Sequence, residues 1–144
     1  MAGTKRDRIQ RAKEAAAPFL EERETVMRAA EGFRGPKTIY ASLLGPIGYL
    51  LLERPRQVVL TGRRLLVLIP PARGGGESKL DVALERETVE VASYEEGRLW
   101  ARLVLLAGNA RPVPLNFARM WHEEAVFLRR KLEGYAGSAG VPLS

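Results

Sequence analysis

The residues that could do chemistry in this chain are few. There is no cysteine among its 144 residues, so thiolate nucleophiles, thiolate zinc sites and disulfides are all excluded. His122 is the single histidine. A zincin pair needs two histidines one helical turn apart, and nucleophilic catalysis needs a nucleophile with a base in reach. His122, Glu123 and Glu124 are consecutive, so on a helix they point to different faces and do not jointly hold a metal. Glu21 with Glu22, and Glu95 with Glu96, are adjacent carboxylates at a junction and in a turn. General acid work needs a buried, shifted carboxyl, which those positions do not favour. The residues therefore carry no catalytic set, and neither a metal nor a cofactor is expected.

The cations are more numerous. The formal net charge is +6 and the isoelectric point is near 10.1. Residues 1–13 hold Lys5, Arg6, Arg8, Arg11 and Lys13 against Asp7 alone. A basic arm on a nearly balanced body suggests contact with a polyanion, an acidic lipid surface or nucleic acid. It equally describes a solvated helix face. Arg54, Arg56, Arg63 and Arg64 form a second basic group. Arg98, Trp100 and Arg102 alternate along a run expected to be extended, which places them on one face. An indole between two guanidiniums could meet phosphate, a lipid head group or a partner carboxylate. The arginine stems could instead simply cover the ring.

Periodicity says what must position these groups. Thr4 to Ala17 reads as a helix, with Thr4 and Asp7 spaced as a capping box and Pro18 as its stop. Its apolar stripe, Ile9, Ala12 and Ala16, is thin, so it has little to bury. Glu24 to Phe33 is a first strand. Lys37 to Pro55 is apolar but broken by glycine and proline, and its longest apolar stretch is Ile39 to Leu52. If exposed, it would be a contact surface. Arg56 to Thr61 and Leu65 to Ile69 form a hairpin, with Gly62 placed for the turn. Both runs are apolar on both faces, so these strands lie centrally or beneath other elements. Pro70 to Lys79, with three consecutive glycines, is a flexible tip. It lacks the spacing of a phosphate-cradling loop.

Leu80 to Glu85 and Val89 to Ala92 alternate as half-buried strands. Arg98 to Leu106 is the longest strand. Ala110 to Phe117 follows, with Pro112 and Pro114 marking it as an edge strand at least in part. The last helix, Ala118 to Glu133, carries Trp121, Ala125, Leu128 and Leu132 on one face. Asn116 is its candidate cap, and Gly134 ends it.

The composition, 46% hydrophobic and 28% charged, is that of an ordinary globular domain. No signal segment is evident. No run reaches the roughly 18 apolar residues of a membrane span, so a cytoplasmic protein is expected, with peripheral contact at a membrane as the accompanying option. The divisions are a basic helical arm over 1–21, a β domain over 22–133 and a flexible tail over 134–144. Seven successive antiparallel strands with short turns favour a meander that curls into a barrel or sandwich. An amphipathic helix is then available to cover an open end.

Seven strands and a closing helix are the pleckstrin-homology-like plan. Val58 to Leu68, VVLTGRRLLVL with its VLT-x-x-R-L turn, resembles the second hairpin of small bacterial members of that superfamily. Val113-Pro114-Leu115-Asn116-Phe117 running into a Trp-containing helix is similar to the close of those domains. The resemblance spans residues 22–133. It implies a non-enzymatic scaffold that binds lipid head groups, peptides or proteins, some bacterial members assembling into rings. The family's lipid-binding pattern, a lysine, a gap and then basic-x-Arg, is met by Lys37, Arg54 and Arg56 only with a long gap. The leading expectation is an adaptor that contacts a protein partner or self-associates. A binder of anionic lipid or another polyanion through the basic arm is the alternative, with nucleic acid ranked behind lipid.

Overall fold

The structure, a computed structural model, describes residues 4–35, 54–71, 76–107 and 111–138. Lys37, the apolar stretch Ile39–Leu52 and residues 72–75 of the glycine tip lie outside the described residues.

Helix α1 spans Lys5–Ala16. Its capping box is formed as expected: the Asp7 amide donates to Thr4 Oγ1, and the Thr4 amide donates to the Asp7 carboxylate, each at 3.2 Å. A 3₁₀ turn, Ala17–Phe19, carries Pro18 at its start. Seven strands follow: β1 Val26–Arg34, β2 Arg54–Thr61, β3 Arg64–Ile69, β4 Lys79–Glu85, β5 Val89–Glu96, β6 Trp100–Ala107 and β7 Val113–Ala118. A second 3₁₀ turn, Arg119–Trp121, leads into helix α2, His122–Ser138. The strands form one antiparallel sheet in the order β4-β3-β2-β1-β7-β6-β5, curled into a half-barrel.

The double burial of β2 and β3 now has a cause. Val58, Leu60, Leu65 and Val67 point into the concave side, where they meet Leu103, Leu105, Leu115, Phe117 and α2. Val59, Leu66 and Leu68 point the other way and pack with Ala29 against Ala12 and Ala16 of α1. The first helix has little bulk to bury, but its two alanines let it sit directly on the outer face of β1–β3. On the concave side, α2 buries Trp121, Ala125, Leu128 and Leu132, the face read from the spacing.

Three expectations are corrected. β7 is an internal strand between β1 and β6, not an edge. Pro112 precedes it, and no described β1 residue lies opposite Pro114, because the β1 pairing ends at Arg34 with Leu115. Asn116 does not cap α2: it is buried within β7 and accepts from Arg102 Nη1 at 3.0 Å. The helix does not stop at Gly134 but continues to Ser138. A helix interior tolerates one glycine at a cost of about 1 kcal/mol. Gly62 lies in the β2–β3 turn as expected, without a positive φ; the turn is held by Thr61 Oγ1, which accepts from the amides of Arg63 and Arg64 at 3.2 and 2.9 Å.

The true edges are β4 and β5. Each carries a register irregularity, at Asp81 and at Ala92. Bulges at sheet edges disturb the ladder and oppose pairing with a second chain.

Candidate functional site

The cations named from the sequence divide by what already neutralises them. Lys5 Nζ lies 2.6 Å from Glu124 Oε1 and 5.4 Å from the centre of the Trp121 ring. Arg8 Nη1 lies 3.0 Å from Glu31 Oε1. These two tie α1 to α2 and to β1. Arg6, Arg11 and Lys13 face solvent. The basic arm is thus a docked helix, with only part of its charge on display.

Arg63 pairs with Glu21 at 2.8 Å on the surface. Arg64 is held more firmly. Its Nη2 and Nε donate to the two oxygens of Glu24 at 2.6 and 3.0 Å, and Nη2 also donates to the Phe19 carbonyl at 2.8 Å. The Arg64 hydrogen bond, opposed by burial and aided by Thr61, brings the Glu24 carboxyl from 4.5 down to about 2. Arg64 is a structural bolt between the β2–β3 hairpin and the end of the α1 segment.

The Arg98-Trp100-Arg102 row is only partly formed. β6 begins at Trp100, so Arg98 lies exposed in the preceding turn. Trp100 packs edge-on against Phe33, with ring centres 5.7 Å apart and planes at 64°. Arg102 donates to the Gly35 carbonyl and to Asn116 Oδ1, each at 3.0 Å. That pair fastens the end of β1 to β6 and β7.

His122 is half-buried at the start of α2, beside a cavity of about 400 Å³ lined also by Arg28, Glu96, Glu123, Phe127 and Arg130. The cavity is of mixed sign, and its lining among the described residues includes no hydroxyl or thiol side chain. Arg28 stacks over Phe127 at 4.1 Å and lies 3.7 Å from Glu124. Among the described residues, no three His, Asp or Glu side chains converge as metal ligands do.

One place does concentrate unneutralised charge. Alternation puts Arg54 and Arg56 on the same concave face as Val58 and Leu60. Arg34 of β1 pairs directly with Arg54 of β2 across the ladder. Like charges directly opposite on a sheet are destabilising, so the pair calls for counter-charge. Asp81 supplies it in part. Its Oδ2 accepts from Arg34 Nη1 at 2.9 Å and from Arg56 Nε at 2.8 Å. The edge irregularity at Asp81 re-aims this carboxylate across β3, a use typical of bulges. Burial pushes the Asp81 carboxyl up, but the hydrogen bonds from Arg56 and Arg34 prevail and hold it below the ordinary range. Arg54 is exposed and has no ion-pair partner among the described residues. At the end of the sheet where β1 hands over to β2, two guanidiniums therefore share one carboxylate, and a third, Arg54, meets none among the described residues. Lys79 and Arg111, both exposed, stand at the ends of the two neighbouring connections.

Arg34 was missed in the sequence because the first strand was ended at Phe33. One more residue, paired across the ladder, would have placed it opposite Arg54. Asp81 carried no signal beyond alternation, since its role depends on the irregularity.

No family model and no curated protein matches the chain. Solved structures do. One is a DUF1696 family protein with a pleckstrin-homology domain from Shewanella loihica, at 13% identity and a TM-score of 0.50, covering 89% of this chain and 92% of that one. Another is the Slm1-PH domain in complex with inositol-4-phosphate, at 16% identity and a TM-score of 0.50, covering 78% of this chain and 96% of that one. This chain has a pleckstrin-homology-like fold. On this PH-like frame the closing helix α2 and the Arg34-Arg54-Arg56 cluster do different work. Helix α2 fills the concave side through Trp121, Leu128 and Leu132. The cluster stands where β1 leaves the sheet and β2 enters it. No helix among the described residues is long and apolar enough to cross a membrane.

Proposed function

We propose that this chain is a non-enzymatic binding module that holds an anionic group at the end of its sheet where β1 hands over to β2, through Arg54 with Arg34 and Arg56. The observation that carries this reading is the cross-strand pair Arg34 with Arg54, in which Arg34 shares the Asp81 carboxylate with Arg56 while Arg54 meets no carboxylate among the described residues. A like-charged pair costs stability, and an anion that bridges it recovers that cost. Guanidiniums suit phosphate and carboxylate because their N–H groups form bidentate forks. PH-like domains commonly bind lipids or proteins, and the inositol-4-phosphate held by the Slm1-PH domain is a ligand of this chemistry.

The reading keeps one part of the sequence expectation and moves another. A polyanion contact remains, but its centre shifts from the α1 arm to the β1–β2 end of the sheet, since Lys5 and Arg8 are engaged internally. Lys37 of the expected lysine-gap-basic-x-Arg pattern lies outside the described residues, and Arg34 stands in its role. The setting that fits is the cytoplasmic side of a membrane, or an acidic partner there.

Co-sedimentation with anionic and zwitterionic vesicles tests the reading. Binding to anionic vesicles should fall steeply between low and physiological salt, and Arg54→Ala should weaken it about fivefold. Equal binding to both vesicle types, untouched by Arg54→Ala, sinks the idea. A second reading, docking on a protein or a second copy, is favoured by Leu99, which is 67% exposed on the β5–β6 turn, and by the exposed Met120. Light scattering across a concentration series decides it: a strict monomer that captures no partner removes the second reading.

A further inference from the structure

We propose that the N-terminal segment 4–21, helix α1 with the 3₁₀ turn after it, is exchanged between two copies of this chain. Each copy lays its α1 on the outer face of the other's β1–β3, and the turn Glu21–Glu24 opens as the hinge. Anion binding is not needed for this exchange, and neither Leu99 nor Met120 takes part in it.

The hinge is where the backbone is strained. Glu21 to Glu24 form a four-residue turn, closed by the Glu24 amide donating to the Glu21 carbonyl at 3.0 Å. A turn whose third residue has a positive φ favours glycine or asparagine there. Here that residue is Arg23, at φ 68°. No other non-glycine residue among the described ones has a positive φ. A side chain is unfavourable in this region because its Cβ crowds the following carbonyl. Arg23 is exposed, so no packing offsets the strain. Opening the turn into extended chain removes it, and strained short hinges favour exchange between copies for that reason. Opening gives up the turn's hydrogen bond and one from the Glu21 amide to Glu24 Oε1 at 2.9 Å, an exposed contact that water can replace.

The contacts that hold the segment join it to the body of the domain, so they re-form between copies. Lys5 lies 2.6 Å from Glu124, Arg8 3.0 Å from Glu31 and Arg63 2.8 Å from Glu21. Arg64 donates to the Phe19 carbonyl at 2.8 Å, while its bonds to Glu24 stay within one chain, on the body side of the hinge. The grip of the helix itself is light. Its buried residues are two alanines, Ala12 and Ala16, with Ile9 and Ala15 beside them. Its ion pairs with Glu31 and through Glu21 are partly or largely exposed, and exposed pairs hold weakly. The sheet face beneath is different: Ala29, Val59, Leu66 and Leu68 are at most 1% exposed under α1. Leaving that face bare is unfavourable, so a vacated sheet takes up the α1 of a second copy, whose residues already fit it.

The test uses the full chain. Incubation at high concentration in sub-denaturing urea lets segments exchange, and dilution into buffer traps the products for light scattering and native mass spectrometry. Wild type should give a dimer fraction that rises with the concentration of incubation. Arg23→Gly relieves the closed turn and should lower the dimer-to-monomer ratio about tenfold, whereas Arg23→Val, more crowded at positive φ, should raise it. Charge reversal makes a stricter demand. Arg8→Glu and Glu31→Arg each set like charges together in a closed chain or a self-paired dimer. When the two variants are mixed, α1 of each meets the opposite charge on the sheet of the other. Mixed dimers should then exceed either self-paired dimer about tenfold, against roughly twofold for random pairing. Glu21→Arg with Arg63→Glu, a pair on the surface, gives the same test where the first pair does not fold.

A strict monomer at every concentration overturns the proposal. A dimer whose charge variants pair at random overturns it too, because the contact then lies on another surface. An Arg23→Gly protein that dimerises as well as wild type removes the hinge, and the exchange with it. Vesicle binding and its loss in Arg54→Ala are measured apart from all of these, so the anion-binding reading stands or falls by its own test.

Discussion

The ion pair between Glu24 and Arg64 gives the most quantitative test of how this fold is held. Glu24→Gln keeps the shape of the side chain and removes its charge. The Glu24 side chain is 1% exposed and that of Arg64 11%. Both Arg64 contacts are charge-assisted, and the Thr61 hydroxyl donates to the same carboxylate at 2.6 Å. The folded protein holds this carboxyl at about 2, against 4.5 for an ordinary glutamate. A depressed carboxylate contributes stability that is fully present above its unfolded value and is lost as pH falls through the folded one. The shift corresponds to about 3 kcal/mol at neutral pH. Removing one partner of a buried pair leaves the other uncompensated, which costs a similar amount, roughly 3–5 kcal/mol.

Urea unfolding at neutral pH should therefore show Glu24→Gln less stable by about 3 kcal/mol. The gap between variant and wild type should shrink as pH drops from 4.5 towards 2, because the wild type alone loses this contribution. A deficit under about 1 kcal/mol at neutral pH, or a gap unchanged near pH 3, would refute the assignment of Arg64 as a structural bolt.

Two further substitutions probe the frame. Gly32→Ala places a methyl 2.9 Å from the Asn116 carbonyl oxygen and 3.1 Å from the Phe117 ring. The β1–β7 contact must open to admit it, and thermal melts should show a loss of roughly 1–3 kcal/mol. Leu128→Ala removes a side chain that is 1% exposed between α2 and the concave sheet. It should lower stability by about 2–5 kcal/mol in denaturant titration, with the loss set by how far the cavity collapses.

The strand plan was legible because alternation survives wherever one face is buried. Leu103 and Leu105, or Leu115 and Phe117, announce a concave core whatever covers the other side. The helix α2 was legible because Trp121, Ala125, Leu128 and Leu132 repeat at helical spacing. Two things could not be read so directly. Pro112 and Pro114 argued for an edge, yet the sheet places them where β1 makes no described pair with them. The docking of α1 was hidden because alanine is a poor signal of burial. Ala12 and Ala16 contribute little apolar area, but their smallness is what permits close approach to Val59, Leu66 and Leu68. The candidate site was half legible. Arg54 and Arg56 stood out as basic-x-Arg, while Arg34 depended on one residue of strand length, and Asp81 on an irregularity that sequence alternation does not reveal.

The contrast between Arg54 and Arg64 explains why the proposed function falls on the β1–β2 end of the sheet. Both lie on the same hairpin, and the sequence treated them as one basic group. Arg64 meets a carboxylate within 3.0 Å on two sides, together with a backbone carbonyl. Its charge is consumed by the fold. Arg56 is partly consumed, since Asp81 is shared with Arg34. Arg54 meets another cation across the ladder and no acid among the described residues. On the proposed reading, what separates Arg64 from Arg54 is the number of carboxylates within reach among the described residues, and that number is set by topology. Strand β3 begins beside Glu24, because α1 returns to the sheet at that corner. Strand β2 begins beside the end of β1, where the chain has placed a second arginine. Binding an anion at that corner would do for Arg54 what Glu24 does for Arg64, with the difference that the counter-charge can leave.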